Sequence, residues 1–147
     1  MKTAIVYFSE HHGNTKKLLD AIAAGNDVTL IDATKPHMTD LSSFDAVGFA
    51  SGIYFQKYHA SVIKFAEMYL PEGKPVFFIF TYGFYRGVYA KDIREVCIAK
   101  QAQVLGRFGC LGLDTFGPFK LVGGIAKGHP NEDDLRNAVS FYNKLKK

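Results

Sequence analysis

The chain has 147 residues, 48% of them hydrophobic, with a formal net charge of +4 and an isoelectric point near 9.0. That length suits a single domain over residues 1–147 with one sizeable core, and no apolar run approaches the roughly 18 residues that would argue for a membrane span. The apolar stretch after Lys2 is too short for a secretory leader and runs straight into polar residues, so a soluble cytoplasmic protein is expected.

Thr3 to Phe8 is a nearly continuous apolar run, the pattern of a strand buried on both faces. From Asn14 the spacing becomes helical: Leu18, Leu19, Ile22 and Ala23 share a stripe, with Lys16, Lys17 and Asp20 opposite, and Gly25-Asn26 supplies a stop. Val28 to Ile31 and Ala46 to Ala50 are the second and third strands. Ala60 to Tyr69 reads as a helix with Val62, Ile63, Ala66 and Leu70 inward, broken by Pro71 to Pro75. Val76 to Phe80, the most hydrophobic strand, is expected at the sheet centre. Tyr89 to Ala102 predicts a helix carrying Ile93, Val96, Cys97 and Ala99, and Gln103 to Gly112 a fifth strand. Leu135 to Leu145 is the last helix, entered through Asn131 as N-cap and three acids at 132–134.

Cys97 and Cys110 have no His or Cys at metal-ligand spacing nearby, and two cysteines do not make a disulfide framework. They read as reduced, partly buried thiols, and no metal site is expected. The cluster Lys144, Lys146 and Lys147 suits a solvated helix end. Without a basic stripe or recognition motif, the positive charge does not point to nucleic acid.

Alternating strand and helix predicts a parallel sheet covered by helices on both faces. Ligands of such sheets bind beyond the carboxyl ends of the strands. Three loops therefore matter. The first, Ser9 to Thr15, follows a strand and opens a helix; its Gly13, its short polar Ser9, Asn14 and Thr15, and the first-turn amides suit a phosphate. Helix capping alone would use the same residue types. The second, Ser51 to His59, joins Gly52 to aromatics at 54, 55 and 58. The third, Thr81 to Gly87, combines the aromatics Tyr82, Phe84 and Tyr85 with glycines at 83 and 87. The stretch from Asp114 to Pro130 is long for a loop and suits a cofactor cover or a partner surface.

Tyr7-Phe8-Ser9 followed by Gly13-Asn14-Thr15 resembles the phosphate loop of flavodoxins, whose pattern is Ser/Thr-x-Thr-Gly-x-Thr. This loop is one residue longer from Ser9, and His12 stands where the family usually has Thr. The resemblance implies an α/β, flavodoxin-like three-layer sandwich with a five-stranded parallel sheet in the order 2-1-3-4-5. It implies FMN as cofactor and electron transfer between redox partners as function, without a catalytic acid–base pair. It assigns the phosphate to Ser9, His11, His12, Gly13, Asn14 and Thr15. The flavin ring falls to Ser51, Gly52, Ile53, Tyr54, Thr81, Tyr82, Gly83 and Tyr85. In the family a small residue of the second loop turns its peptide toward the reduced ring; Gly52 and Tyr54 are the candidates for that role and for the ring neighbour. A phenol ring stacks well on an electron-poor oxidised flavin. Lys57 and Arg86, on the two ring loops, would stabilise the anionic reduced flavin and raise its potential. The basic balance differs from the acidic surface of many flavodoxins and implies partners with acidic docking surfaces.

Two other readings use the same fold. A nicotinamide- or quinone-linked flavin reductase would need room for a second ligand, and no dinucleotide fingerprint is visible. A flavin-free regulatory module is the other; a phospho-receiver needs acids at the ends of strands one and three, where this chain has Ser9 and Ser51.

Overall fold

Apolar runs flanked by amphipathic helices pair side by side here. A computed structural model of the protein describes residues 1–10, 13–35, 40–83, 89–113 and 126–147. The elements in chain order are β1 (Thr3–Phe8), α1 (Asn14–Ala23), β2 (Val28–Asp32), a short 3-10 turn (Leu41–Ser43), β3 (Ala46–Tyr54), β4 (Lys57–Tyr58), α2 (Ala60–Tyr69), β5 (Pro75–Tyr82), α3 (Lys91–Ala99), β6 (Gln103–Leu111) and α4 (Glu132–Leu145). The five long strands are parallel in the order β2-β1-β3-β5-β6, the expected order, and β4 adds a short antiparallel pair to β3.

Side chains of successive strand residues point to opposite faces, and β5 divides its apolar residues between two layers in this way. Val76, Phe78 and Phe80 pack with Val62 and Ala66 of α2 and Ile93 of α3 on one face. Phe77 and Ile79 pack with Leu18, Leu19 and Ile22 of α1 and Ala138 and Tyr142 of α4 on the other. Both faces of the interior strands β1, β3 and β5 are thus dry, which is why those strands lack polar alternation. The middle place belongs to β3, not to Val76–Phe80 as expected. Apolarity reports burial on both faces, which every interior strand shares, so it does not separate the middle strand from its neighbour.

The helix ends obey their local chemistry. Asn131 and Asp134 form a reciprocal capping box at the start of α4, with Glu132, Asp133 and Asp134 in the first turn. At the end of α1 the Asn26 amide donates to Ile22 O at 2.8 Å, satisfying a last-turn carbonyl. The helix expected over Tyr89–Ala102 is shorter at both ends. Ala90 (φ 70°) and Gln101 (φ 58°) adopt left-handed backbone and bound α3.

Two glycines are required by close approach. Gly48 lies opposite Phe77 in the β3–β5 ladder, and a Cβ there would stand 2.5 Å from the Phe77 ring. Gly109 lies opposite Phe80 in the β5–β6 ladder, where a Cβ would stand 2.2 Å from that ring. The phenylalanines of β5 occupy the space that the glycines of its neighbours leave.

Cys97 and Cys110 are free and buried, one in the layer under α2 and α3, the other under α1 and α4. Burial pushes each thiol up to about 12 from an ordinary value of 9.0. Among the described residues no helix is long and apolar enough to cross a membrane.

Gly48→Ala is expected to lower stability by about 1–3 kcal/mol, since the Phe77 ring must move within a filled core. Gly25→Ala, at a site with nothing within 4 Å, is expected to stay within about 0.5 kcal/mol of the parent. Urea unfolding of both variants is the measurement. The thiols predict a second effect. Their contribution is fully present below pH 9 and declines as pH rises from 9 toward 12, because the unfolded chain releases protons that the folded chain retains. The slope is about 1.4 kcal/mol per pH unit for each thiol, and equilibrium unfolding of Cys97→Ala across that range is expected to show a shallower decline.

Candidate functional site

Because β1, β3, β5 and β6 run parallel, their carboxyl ends meet at one edge, and a recess opens there. Ser9 and Glu10 line it from the end of β1, and Asn14 and Thr15 from the first turn of α1. Gly52, Ile53, Tyr54 and Phe55 come from the end of β3, Thr81, Tyr82 and Gly83 from β5, and Gly112 and Leu113 from just past β6.

One end of the recess is a set of donors. Gly13, at φ 64°, turns the chain into α1 as an N-cap with no side-chain cap of its own. Ser9 supplies that cap from a distance: its Oγ accepts the Lys16 N–H at 3.0 Å, and its own proton has no acceptor among the described residues. Thr15 and Thr81 hydroxyls lie 2.9 Å apart, both buried. Whichever donates, the other retains one O–H for a ligand. The first-turn amides and the dipole of α1 add positive potential. Glu10 is exposed, and the Lys16 ammonium is paired with Asp20 at 2.6 Å.

Asn14 stands out within this set. It is 6% exposed, its Nδ2 donates to Leu113 O at 2.8 Å, and its Oδ1 is buried with no hydrogen-bond partner among the described residues. Leaving such an atom unpaired costs about 1–3 kcal/mol. Gly112 makes room for it, since a Cβ there would stand 2.7 Å from Nδ2.

The other end is a rim built by a hairpin. The segment expected as a loop over Ser51–His59 is instead the continuation of β3 through Tyr54, a turn, and β4. The turn residues Phe55 (φ 50°) and Gln56 (φ 69°) are both left-handed, the hand that suits a two-residue hairpin. Neither is Gly or Asn, so the turn carries backbone strain, and Phe55 is 83% exposed at its tip. The base of the hairpin is held firmly. Tyr58 N donates to Asp92 Oδ2 at 3.0 Å, His59 N to Ser51 Oγ at 3.0 Å, and the Tyr58 hydroxyl to Ile79 O at 2.9 Å and Phe49 O at 3.2 Å. His59 then caps α2 through Nδ1, which accepts the Ser61 N–H at 3.1 Å. Its ring stacks on Phe8 at 3.6 Å, and Tyr54 meets both edge-on, at 5.8 Å from Phe8 and 5.5 Å from His59. On β5, Tyr82 packs against Tyr89 at 5.4 Å.

Of the residues expected from sequence, Ser9, Asn14, Thr15, Gly52, Ile53, Tyr54, Thr81, Tyr82 and Gly83 come together in the recess. Gly13 shapes the entry to α1. Ser51 does not line the recess: it is fully buried, accepts from His59 and donates to Gly52 O at 2.6 Å. Gly52 pairs with Thr81 in the ladder. His11, His12, Tyr85 and Arg86 lie outside the described residues, as does most of the Asp114–Pro130 stretch. Gly112 and Leu113 carry no sequence signal of their own, although Gly112 ends the expected fifth strand and Leu113 follows it, which places both at the same edge as the three loops. Phe8, His59 and Asp92 support the rim equally silently, because they act through a hairpin whose turn has none of the usual residues.

A family model described as a flavodoxin domain matches residues 4–110. The chain is 40% identical over 145 residues to an uncharacterized protein of Methanocaldococcus jannaschii, covering 96% of this chain and 95% of that one. The structure of a flavodoxin from the Archaea superimposes with a TM-score of 0.71 at 23% identity and full coverage of both chains. A variant flavodoxin of Fusobacterium nucleatum, bound to flavin mononucleotide, superimposes with a TM-score of 0.67 at 15% identity, over 99% of this chain and 96% of that one. At those identities the structural likeness concerns the fold. The chain belongs to the flavodoxin family.

Proposed function

We propose that the protein binds FMN in this recess and carries electrons between redox partners. The observation that carries the reading is the meeting, in one recess, of a hydroxyl-lined helix N-terminus with tyrosines of two adjacent strands. The donor set fits a phosphate monoester: hydroxyl protons from Ser9 and from the Thr15–Thr81 pair, the first-turn amides, and a favourable dipole. Thr15 and Thr81 sit on a helix and a strand, and Ser9 is tied to α1 through the Lys16 N–H, so the hydroxyls are oriented before any ligand arrives. Gly52, Ile53, Tyr54, Tyr82 and Gly83 would hold the ring, with Tyr54 braced by Phe8 and His59. His11, His12 and Tyr85 are assigned to the same cofactor from their positions in the sequence. When bound, FMN supplies the redox chemistry, and the protein sets its potential and access. The flavodoxin of Fusobacterium nucleatum with its bound flavin mononucleotide supports this choice of cofactor. Lys57, exposed at the hairpin, and the net charge of +4 favour partners with acidic docking surfaces. Free thiols suit a reducing, cytoplasmic setting.

The purified protein is expected to show visible flavin absorbance, or its apo form to quench the fluorescence of added FMN. Absence of both would remove the reading. Sustained oxidation of reduced nicotinamide by the holoprotein alone would instead favour a reductase. Lys57→Glu is expected to lower the potential of the bound flavin by tens of millivolts, through loss of one positive charge and gain of one negative charge near the ring. Potentiometric titration of parent and variant measures this, and an unchanged potential would separate Lys57 from the flavin.

A further inference from the structure

A groove away from the recess runs along the solvent side of α4, with Ala21 of α1 on its other bank. The residues that line it beyond Ala21 stretch from Glu132 to Lys147, about 22 Å at the helical rise. Its apolar members Leu135 and Val139 are only half-buried. Acids in a first turn and lysines in a last turn suit the helix's own dipole, yet many of these charges are already engaged. Asp134 closes the capping box and accepts from His129, Asp133 pairs with Arg136, and the Lys146 ammonium donates to Asn26 Oδ1 at 2.6 Å. Glu132, Lys144 and Lys147 have no side-chain hydrogen bond or ion pair among the described residues, and all of them line the groove. The acid stands at one end and the lysines at the other, with apolar side chains between.

Such a stripe is complementary to itself when reversed. Its positions on α4 fall symmetrically about the 139–140 peptide bond. A two-fold axis there sets Glu132 of one copy opposite Lys147 of the other, and Leu135 opposite Lys144. The Lys144 stem then covers Leu135 while its ammonium reaches toward Glu132, one turn away. Val139 and Ser140 meet at the axis, where small side chains let two helices approach to about 8–10 Å. A wholly acidic partner would be repelled by Glu132 and a wholly basic one by the lysines; a reversed copy suits both ends. We propose that this face of α4 docks a second copy of the chain, antiparallel, in a two-fold dimer. The Leu113 N–H donates to His129 O at 2.9 Å, so α4 begins beside the end of β6, at the carboxyl edge of the sheet. The two recesses of the dimer therefore open at opposite ends, clear of the interface. One helix stripe per subunit is smaller than a stable interface requires, so the association is weak.

The test is sedimentation equilibrium of the purified protein between about 10 µM and about 1 mM, the range of a weak interface, in low and in high salt. In low salt the mass is expected to rise from 16.3 kDa toward twice that value. High salt is expected to weaken the association severalfold, since the ion pairs are exposed. Glu132→Lys, and separately Lys144→Glu combined with Lys147→Glu, are each expected to weaken self-association about tenfold. An equimolar mixture of the two variants is expected to recover the parent affinity, because each end of the mixed dimer again joins opposite charges. That recovery separates docking from a folding defect, and the salt comparison needs no substitution. A mass that stays at one chain throughout would overturn the proposal and leave the groove to a partner of another kind. Association indifferent to salt or to both variants would overturn it too, as would a mixture that associates no better than its parts. Flavin content enters none of these readouts, so the FMN reading stands or falls separately.

Discussion

Parallel pairing is the constraint on which the rest of the molecule depends. A chain that pairs β1 with β3, β3 with β5 and β5 with β6 in the same direction must end each strand at the same edge. It must also return along a face of the sheet each time, which sets the helices outside and the core in two layers. The recess is the by-product of those endings. Ser9, Tyr54, Tyr82 and Gly112 are far apart in sequence and adjacent in space for that reason alone.

The two ends of the recess are built differently. At the polar end a hydroxyl bond between Thr15 and Thr81 ties α1 to β5, and Ser9, just past β1, is tied to α1 through the Lys16 N–H. The aromatic end stands on a hairpin whose tip is strained and whose base is clamped by Ser51, Asp92 and the Tyr58 hydroxyl. Strain persists where surrounding structure over-determines it, and such places cluster at working sites. Ser51 holds the hairpin through His59 N and does not itself line the recess.

Most of the fold was legible because its signals are long. Continuous apolar runs such as Val76–Phe80 and the 3.6-residue stripe of α1 leave little choice of element, and the α4 capping box is written in four consecutive residues. The recess-lining Ser9, Asn14 and Thr15 were legible because helix N-termini and small polar residues work locally. What stayed hidden was non-local. A two-residue turn made of Phe55 and Gln56 lacks the Asn-Gly chemistry that marks a hairpin, so β3 seemed to stop at Ala50. The unpaired oxygen of Asn14 depends on a carbonyl at Leu113, almost a hundred residues on. The left-handed residues Ala90 and Gln101 shortened α3 at positions where the side chains alone would continue a helix.

The glycine–phenylalanine partners across β5 bear on how this chain can change over time. Gly48 and Phe77 share one volume, as do Gly109 and Phe80. Neither member of a pair can drift alone: a larger residue on one strand demands a smaller one opposite, and a lost ring leaves a void beside a bare backbone. Each pair is expected to be inherited as a unit. Among distant relatives such couples would trade places or sizes together, and a sequence comparison that weighs each position separately would mistake that compensation for divergence.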